Sequence, residues 1–222
     1  MAEQIQRVKV WGGWLRFSHM ALGLSTLLLL TTGWLLGVAP AERLLWVDLH
    51  YIAASVLIFS VSLRVLLMFT GQPVARLSVL MPDDNEWRSV LDTLKFYITL
   101  GKAPLPRWYA HNPLWKPIYL LSYFILLSLI VTGAFQTEYP FVNGYYLPLL
   151  HVKFASPMLF FVVLHLIAVV FHDYRGNAAD VSSIINGHRH YLIEKLDFAD
   201  STQETAVHID QIDGPKASGK QE

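Results

Sequence analysis

The sequence predicts an all-α protein, a four-helix transmembrane bundle with a cytoplasmic-side amphipathic helix between spans two and three. Three observations carry that expectation. The 222 residues are 54% hydrophobic and only 15% charged, and their mean hydropathy is +0.39, more apolar than a soluble domain of this size. The apolar residues gather into four runs, each close to the roughly 20 residues that cross a bilayer. The basic residues, finally, concentrate in alternate connections.

Arg7, Lys9 and Arg16 precede the first run, Phe17–Val38. It is too long for a signal-peptide core and no small-residue cleavage site follows promptly, so it reads as an uncleaved span over about residues 16–38. The runs Leu49–Phe69, Ile118–Phe135 and Pro148–Phe171 predict spans over about 47–69, 114–136 and 148–173. Between the second and third, DDNEWRSVLDTLKFYITLGK offers an aspartate for the N-cap and Trp87, Val90, Leu91, Leu94, Tyr97 and Ile98 at helical spacing. Gly101 and Lys102 stop it, and Pro104 and Pro106 follow. Such an amphipathic helix suits either the membrane surface or a partner protein. Residues 1–197 thus form one transmembrane domain. The polar stretch 198–222 has no apolar period and is expected to be a disordered tail.

Four spans put both termini on one side. That side also receives Arg76, Arg88, Lys95, Lys102, Arg107 and Lys116 of the long middle connection, with Arg175, Arg189 and Lys195 after the last span; the other side offers little beyond Arg43 and Lys153. Basic residues stay cytoplasmic, so both termini and the middle connection are expected there. The net charge of zero leaves no nucleic-acid footprint. The absence of cysteine excludes disulfides, ordinary iron–sulfur ligation and covalent c-type haem, leaving histidine, carboxylate or methionine to hold any metal.

Nine histidines are present, and His19, His50, His151 and His165 lie in or at the ends of spans. His151 and His165 are fourteen residues apart, which returns to within about 40° of the same helix face and rises about 21 Å. Pro157 between them is a candidate kink. His19 opens span one on the side of His165, and His50 opens span two on the side of His151. The four sort into two pairs by depth. A single histidine at a helix end commonly rests among lipid headgroups, but intramembrane ionisable residues are rare and usually functional. Two imidazoles without a carboxylate at matching depth make a poor zinc site. They suit the two axial positions of haem iron, here b-type because no cysteine can attach it.

Further positions fit the same scheme. Gly33, fourteen residues beyond His19, and Gly133 in span three lie at the depth of the His50 pair. A glycine there would admit a flat porphyrin or close helix packing. Arg64, fourteen residues beyond His50, lies at the depth of the His19 pair and suits a haem propionate or snorkelling to the surface. His172 shares the face of His165 and suits either proton delivery or a place at the interface. His111, His188, His190 and His208 are expected to be solvated or interfacial.

RFSH at 16–19 with TTG at 31–33, LHY at 49–51 with Arg64, HNPLWKPIYLL at 111–121 with VTG at 131–133, and IINGHRHY at 184–191 accompany His151 and His165. With these motifs the chain resembles the bacterial di-haem cytochrome b family. That family includes the membrane subunits of nickel–iron hydrogenases, formate dehydrogenases and thiosulfate reductases, and is cytochrome b561-like. LMFTGQPVARLSVLMP at 67–82 is more similar to the hydrogenase and thiosulfate-reductase branch. The resemblance implies two haem b groups, one held by His19 and His165 on the cytoplasmic side and one by His50 and His151 on the periplasmic side. It also implies electron relay in the bacterial inner membrane between a periplasmic redox subunit (hydrogenase, reductase or cytochrome c) and quinone. Asn112 matches an asparagine that helps bind quinone in the formate dehydrogenase relatives, while on its own it reads as an Asn-Pro turn opening a helix. Pro157 departs from the family pattern.

No residue is assigned to catalysis; the expected role is that of an electron-transfer subunit. One competing reading is a free-standing cytochrome b561-type quinol oxidoreductase serving a soluble cytochrome or superoxide. The other is a histidine-lined metal transporter or metalloenzyme without haem, which requires a third ligand at histidine depth.

Overall fold

A computed structural model describes residues 3–81, 83, 86–175 and 180–194. The tail from 198, with His208, lies outside them. Four long helices dominate: α1 (Gly13–Val38), α2 (Arg43–Thr70), α4 (Trp115–Phe135) and α5 (Leu147–Arg175), each long and apolar enough to cross a membrane. They run up and down, so α1 starts, α2 ends, α4 starts and α5 ends at one end of the bundle, the terminal end. Helix α3 (Trp87–Ile98) and the short α6 (Asp180–Asn186) lie at that end too.

Local chemistry sets the helix limits. Pro40 follows α1, and the Ala39 N–H returns to the Leu35 carbonyl at 2.8 Å. Gly71 and Pro73 close α2. Asn112 opens α4, its Oδ1 accepting the Leu114 N–H at 3.0 Å and its backbone carbonyl those of Trp115 and Lys116. Helix α5 continues unbroken through Pro157. Glu86, rather than an aspartate, sits at the cap position of α3, and no side chain caps that helix.

The core occupies the middle of the bundle. Leu57, Ile125, Leu126 and Met158 are buried, with Leu22 and Leu29 of α1, Val61 of α2 and Phe154 and Phe161 of α5 against them. All four long helices contribute, and the contributing residues fall between the two histidine levels on each helix. Large side chains on the outer faces, such as Phe59, Phe124 and Phe160, are exposed, as befits surfaces that meet lipid. Lipid is as apolar as leucine, so helix association rests on close fit. The buried faces accordingly carry small hydroxyl residues, Ser18, Ser25, Thr26, Thr32, Ser60, Ser122 and Thr132. Each donates its O–H to a carbonyl three or four residues earlier in its own helix, which removes the cost of burying it.

The chain also contains short strands that its local sequence does not announce. At the terminal end β1 (Glu3–Lys9) pairs antiparallel with β4 (His188–Glu194), Lys9 opposite His188 and Glu3 opposite Glu194. The turn into β4 depends on Gly187, whose φ is +86° and where a Cβ would stand 2.8 Å from the Trp11 carbonyl oxygen. Arg189, buried, points its Nη1 at the carbonyls of Trp108, Tyr109 and Ala110 at 3.2, 3.0 and 3.4 Å. The two chain ends thereby clamp the segment that leads into α4. At the opposite end β2 (Phe141–Val142) and β3 (Tyr145–Tyr146) form a small hairpin turned by Asn143 and Gly144, both at positive φ.

Candidate functional site

The fold brings the four span histidines together in the two pairs expected. His50 of α2 faces His151 of α5 near the opposite end, ring centres 6.3 Å apart and planes at 70°. His19 of α1 faces His165 of α5 near the terminal end, at 6.2 Å and 54°. Two imidazole–metal bonds of about 2.0 Å, plus about 1.1 Å from each nitrogen to its ring centre, would place opposed axial imidazoles roughly 6 Å apart. Both pairs meet that spacing despite Pro157 between the two α5 histidines. Polar side chains at membrane depth call for a partner. The four side chains fit bis-imidazole ligation of a flat cofactor at each level.

At the opposite end each ring rests in a threonine–glycine notch on a neighbouring helix. His50 Nδ1 lies 2.8 Å from Thr32 Oγ1 of α1, and His151 Nδ1 lies 3.0 Å from Thr132 Oγ1 of α4. The glycines that follow face the same rings. A Cβ on Gly133 would approach His151 Cε1 to 3.0 Å, and one on Gly33 would approach His50 Cε1 to 3.7 Å. At Gly133 an added carbon would crowd the imidazole, whereas at Gly33 it would meet the ring at an ordinary contact distance. The two threonines escaped the reading of the sequence, although both stand in the TG doublets that drew attention to the glycines.

The terminal-end pair is surrounded differently. Phe161 stacks on His165 at 5.7 Å and 14°, and Trp115 and Tyr119 set their edges against it at 5.8 and 5.9 Å. Arg64 is buried rather than snorkelling; its Nη1 donates to the Ala75 carbonyl at 2.8 Å and its guanidinium lies over the Tyr123 ring. No carboxylate engages it among the described residues, so an anion such as a propionate remains a suitable partner.

Beyond this pair lies a cavity of about 360 Å³, lined in part by Glu86, Arg107, Trp108, His111 and Lys116. Lys116 Nζ donates to both Glu86 carboxylate oxygens at 2.6 Å, which also accounts for Glu86 not capping α3. His111 is half-buried rather than solvated, set edge-on to Trp11 at 5.2 Å and Tyr119 at 6.3 Å. Burial, followed by the positive charges of Arg64, Lys116 and Arg189, pushes its pKa down to about 4. Tyr119 thus touches both His165 and a wall of the cavity. Asn112 is buried; its oxygen is used in the turn, while its Nδ2 has no hydrogen-bond partner.

His172 is buried as well. Its Nε2 is 2.7 Å from the Tyr97 hydroxyl, which accepts the Trp115 indole N–H at 2.7 Å. Trp108 and Phe96 enclose the ring. His188 is half-exposed, its backbone N–H donating to Asn186 Oδ1. No group of three or more metal-ligating side chains occurs among the described residues, so the third ligand that a haem-free metal site requires is not found there.

Four membrane-spanning helices carrying opposed imidazoles at axial spacing, in a chain without cysteine, define a membrane-embedded electron carrier of the haem b type. The chain belongs to the prokaryotic cytochrome b561 family, whose profile matches residues 10–187 and so takes in all four spans. No curated protein and no solved structure gives a significant match. Family and fold together make it a multi-pass protein of the inner membrane.

Proposed function

We propose that the protein is a di-haem b cytochrome relaying electrons between a periplasmic redox partner subunit and the membrane quinone pool. His50 and His151 hold the haem nearer the periplasm, and His19 and His165 the one nearer the cytoplasm. The observation that carries this reading is that two separate pairs, drawn from three helices, share one axial-ligand spacing. The bound haems would supply one-electron transfer at each level. Arg64 would neutralise a propionate of a haem held at that level, and the excess of basic residues around the terminal end supports its cytoplasmic placement.

The cavity at the terminal end is the proposed place for the quinone head. Converting a quinone to a quinol takes two electrons and two protons. Haems held at the two levels would pass the electrons singly, and the groups nearest to proton entry from the cytoplasmic side would be Glu86, Lys116 and His111, which line the cavity. Its one-ring separation from His165, through Tyr119, supports this placement. Asn112, between the lining residues His111 and Pro113, keeps an unpartnered amide nitrogen, which would have to open onto the cavity to donate to a quinone carbonyl. Trp87, Leu91, Leu94 and Ile98 form an exposed apolar row on α3, which supports that helix lying in the headgroup layer.

The test is quinol-driven haem reduction in the purified chain. A short-chain quinol should reduce the haem bands, and Glu86→Gln should slow that reduction while leaving the dithionite-reduced spectrum unchanged. Haem that dithionite reduces and quinol does not would overturn the quinone assignment. Purification in mild detergent separates the subunit reading, in which a redox partner co-purifies, from the free-standing one.

A further inference from the structure

The two histidine levels differ in what their second ring nitrogens meet, and the difference has an electronic consequence. The Thr32 hydroxyl lies 2.7 Å from the Leu28 carbonyl and the Thr132 hydroxyl 2.7 Å from the Ser128 carbonyl. A hydroxyl has one proton. With that proton directed at its own helix, each threonine oxygen can only accept from the imidazole beside it. His50 and His151 therefore carry their protons on Nδ1, and each leaves Nε2 with a free lone pair. The Thr32 hydroxyl holds the His50 ring, and the Thr132 hydroxyl together with a backbone hydrogen bond to Leu129 holds the His151 ring, in the ligating tautomer.

His165 has no such support. Its Nδ1 is buried without a hydrogen-bond partner, and aromatic rings alone fix its position. A hydrogen bond donated from Nδ1 makes an imidazole a stronger electron donor through its other nitrogen, which favours ferric iron. At the terminal level Arg64, by offsetting the negative charge of a propionate, would favour ferrous iron instead. Ligand basicity and local charge act in the same direction, and both are recognised levers on haem potential.

We infer that Thr32 and Thr132 are positioning residues that orient His50 and His151 for haem ligation and set the opposite-end haem at a lower potential than the terminal-end haem. The inference rests on the two-haem reading. It gives the relay a built-in direction at equilibrium, with electrons collecting at the terminal-end level beside the cavity.

Spectroelectrochemical titration of the purified full-length chain tests it, with wild type, Thr132→Val, Thr132→Ser and Thr32→Val/Thr132→Val compared. Wild type should resolve two components. Thr132→Val should raise the lower one by about a tenfold change in its electron equilibrium, equivalent to about 59 mV for a one-electron couple, and leave the upper one in place. The double variant should shift it further, and Thr132→Ser, which restores the hydroxyl, should titrate like wild type. Loss of a single haem in Thr132→Val that Thr132→Ser restores supports the same conclusion. Unchanged components in Thr132→Val, movement of the upper component, or a defect that Thr132→Ser shares would overturn it. Wild type lacking two haems would instead sink the reading beneath it, and would be seen before any variant is made.

Discussion

The two ends of the bundle hold similar histidine pairs in dissimilar surroundings. At the opposite end the rings sit in threonine–glycine notches, and a six-residue hairpin and short connections are what surround the bundle there. At the terminal end an aromatic cage, a buried arginine, an ion pair, a two-stranded sheet and a cavity are layered over the pair. On the proposed function, the contrast indicates that presenting two axial ligands takes only the helices themselves and a hydroxyl beside each ring. The additional architecture answers a different demand, which on the proposed function is controlled access for a quinone head and its protons.

The largest test of that contrast removes a ligand from one level. His151→Ala should cost one haem of the two, leave the terminal-end haem bound and abolish transfer across the membrane, read by pyridine haemochrome content per chain. Loss of both haems would show that the levels are not independent.

Next comes the ion pair particular to the terminal end. Lys116→Met strands the Glu86 carboxylate, and breaking a buried pair in this way costs several kcal/mol when burial is complete. The two side chains are 8% and 28% exposed, so a loss of roughly 2–3 kcal/mol is expected, visible as a lower Tm. Adding Glu86→Gln should recover part of it; a double variant as unstable as the single one would remove the pair from the account.

Smaller still is a comparison within the opposite end. Gly133→Ala should disturb His151 by about 1–3 kcal/mol of overpacking and lower haem retention at that level. Gly33→Ala, where the added carbon meets His50 at an ordinary contact distance of 3.7 Å, should be neutral or should stabilise α1 by up to about 1 kcal/mol. Equal effects at the two glycines would mean that the notches do not differ as their geometry indicates.

A pH dependence confined to the terminal end is expected as well. Burial holds His111 at about 4 in the folded chain against 6.5 when it is free, so the unfolded chain binds the proton first as pH falls. Stability should decline from about pH 6.5 to about 4 and be independent of this group above 6.5. His111→Gln should flatten that slope in a thermal-shift series.

Much of the bundle is legible in the sequence because membrane spans are written locally. A run such as Leu49–Phe69 needs no distant information, and fourteen-residue spacing alone places His151 and His165 on one face. The strands are a different matter. β1 and β4 are joined across the length of the chain, and neither EQIQRVK nor HRHYLIE alternates cleanly; what makes them strands is each other. The surroundings of His172 and His111 were not legible either, for a related reason. Their burial comes from Trp108, Tyr97, Trp11 and Tyr119, supplied by other elements. Thr32 and Thr132 lay one residue from the glycines the sequence did single out, but their role appears only once α1 is set beside α2 and α4 beside α5.

The claim on which the rest depends is that each level holds one haem b between two histidines of different helices. Haem content per purified chain, measured together with the electron paramagnetic resonance of the oxidised protein, tests it most directly. Two haems b per chain, both with bis-imidazole signals, are the predicted result. A single haem, no haem, or a signal from any other axial ligand would contradict it.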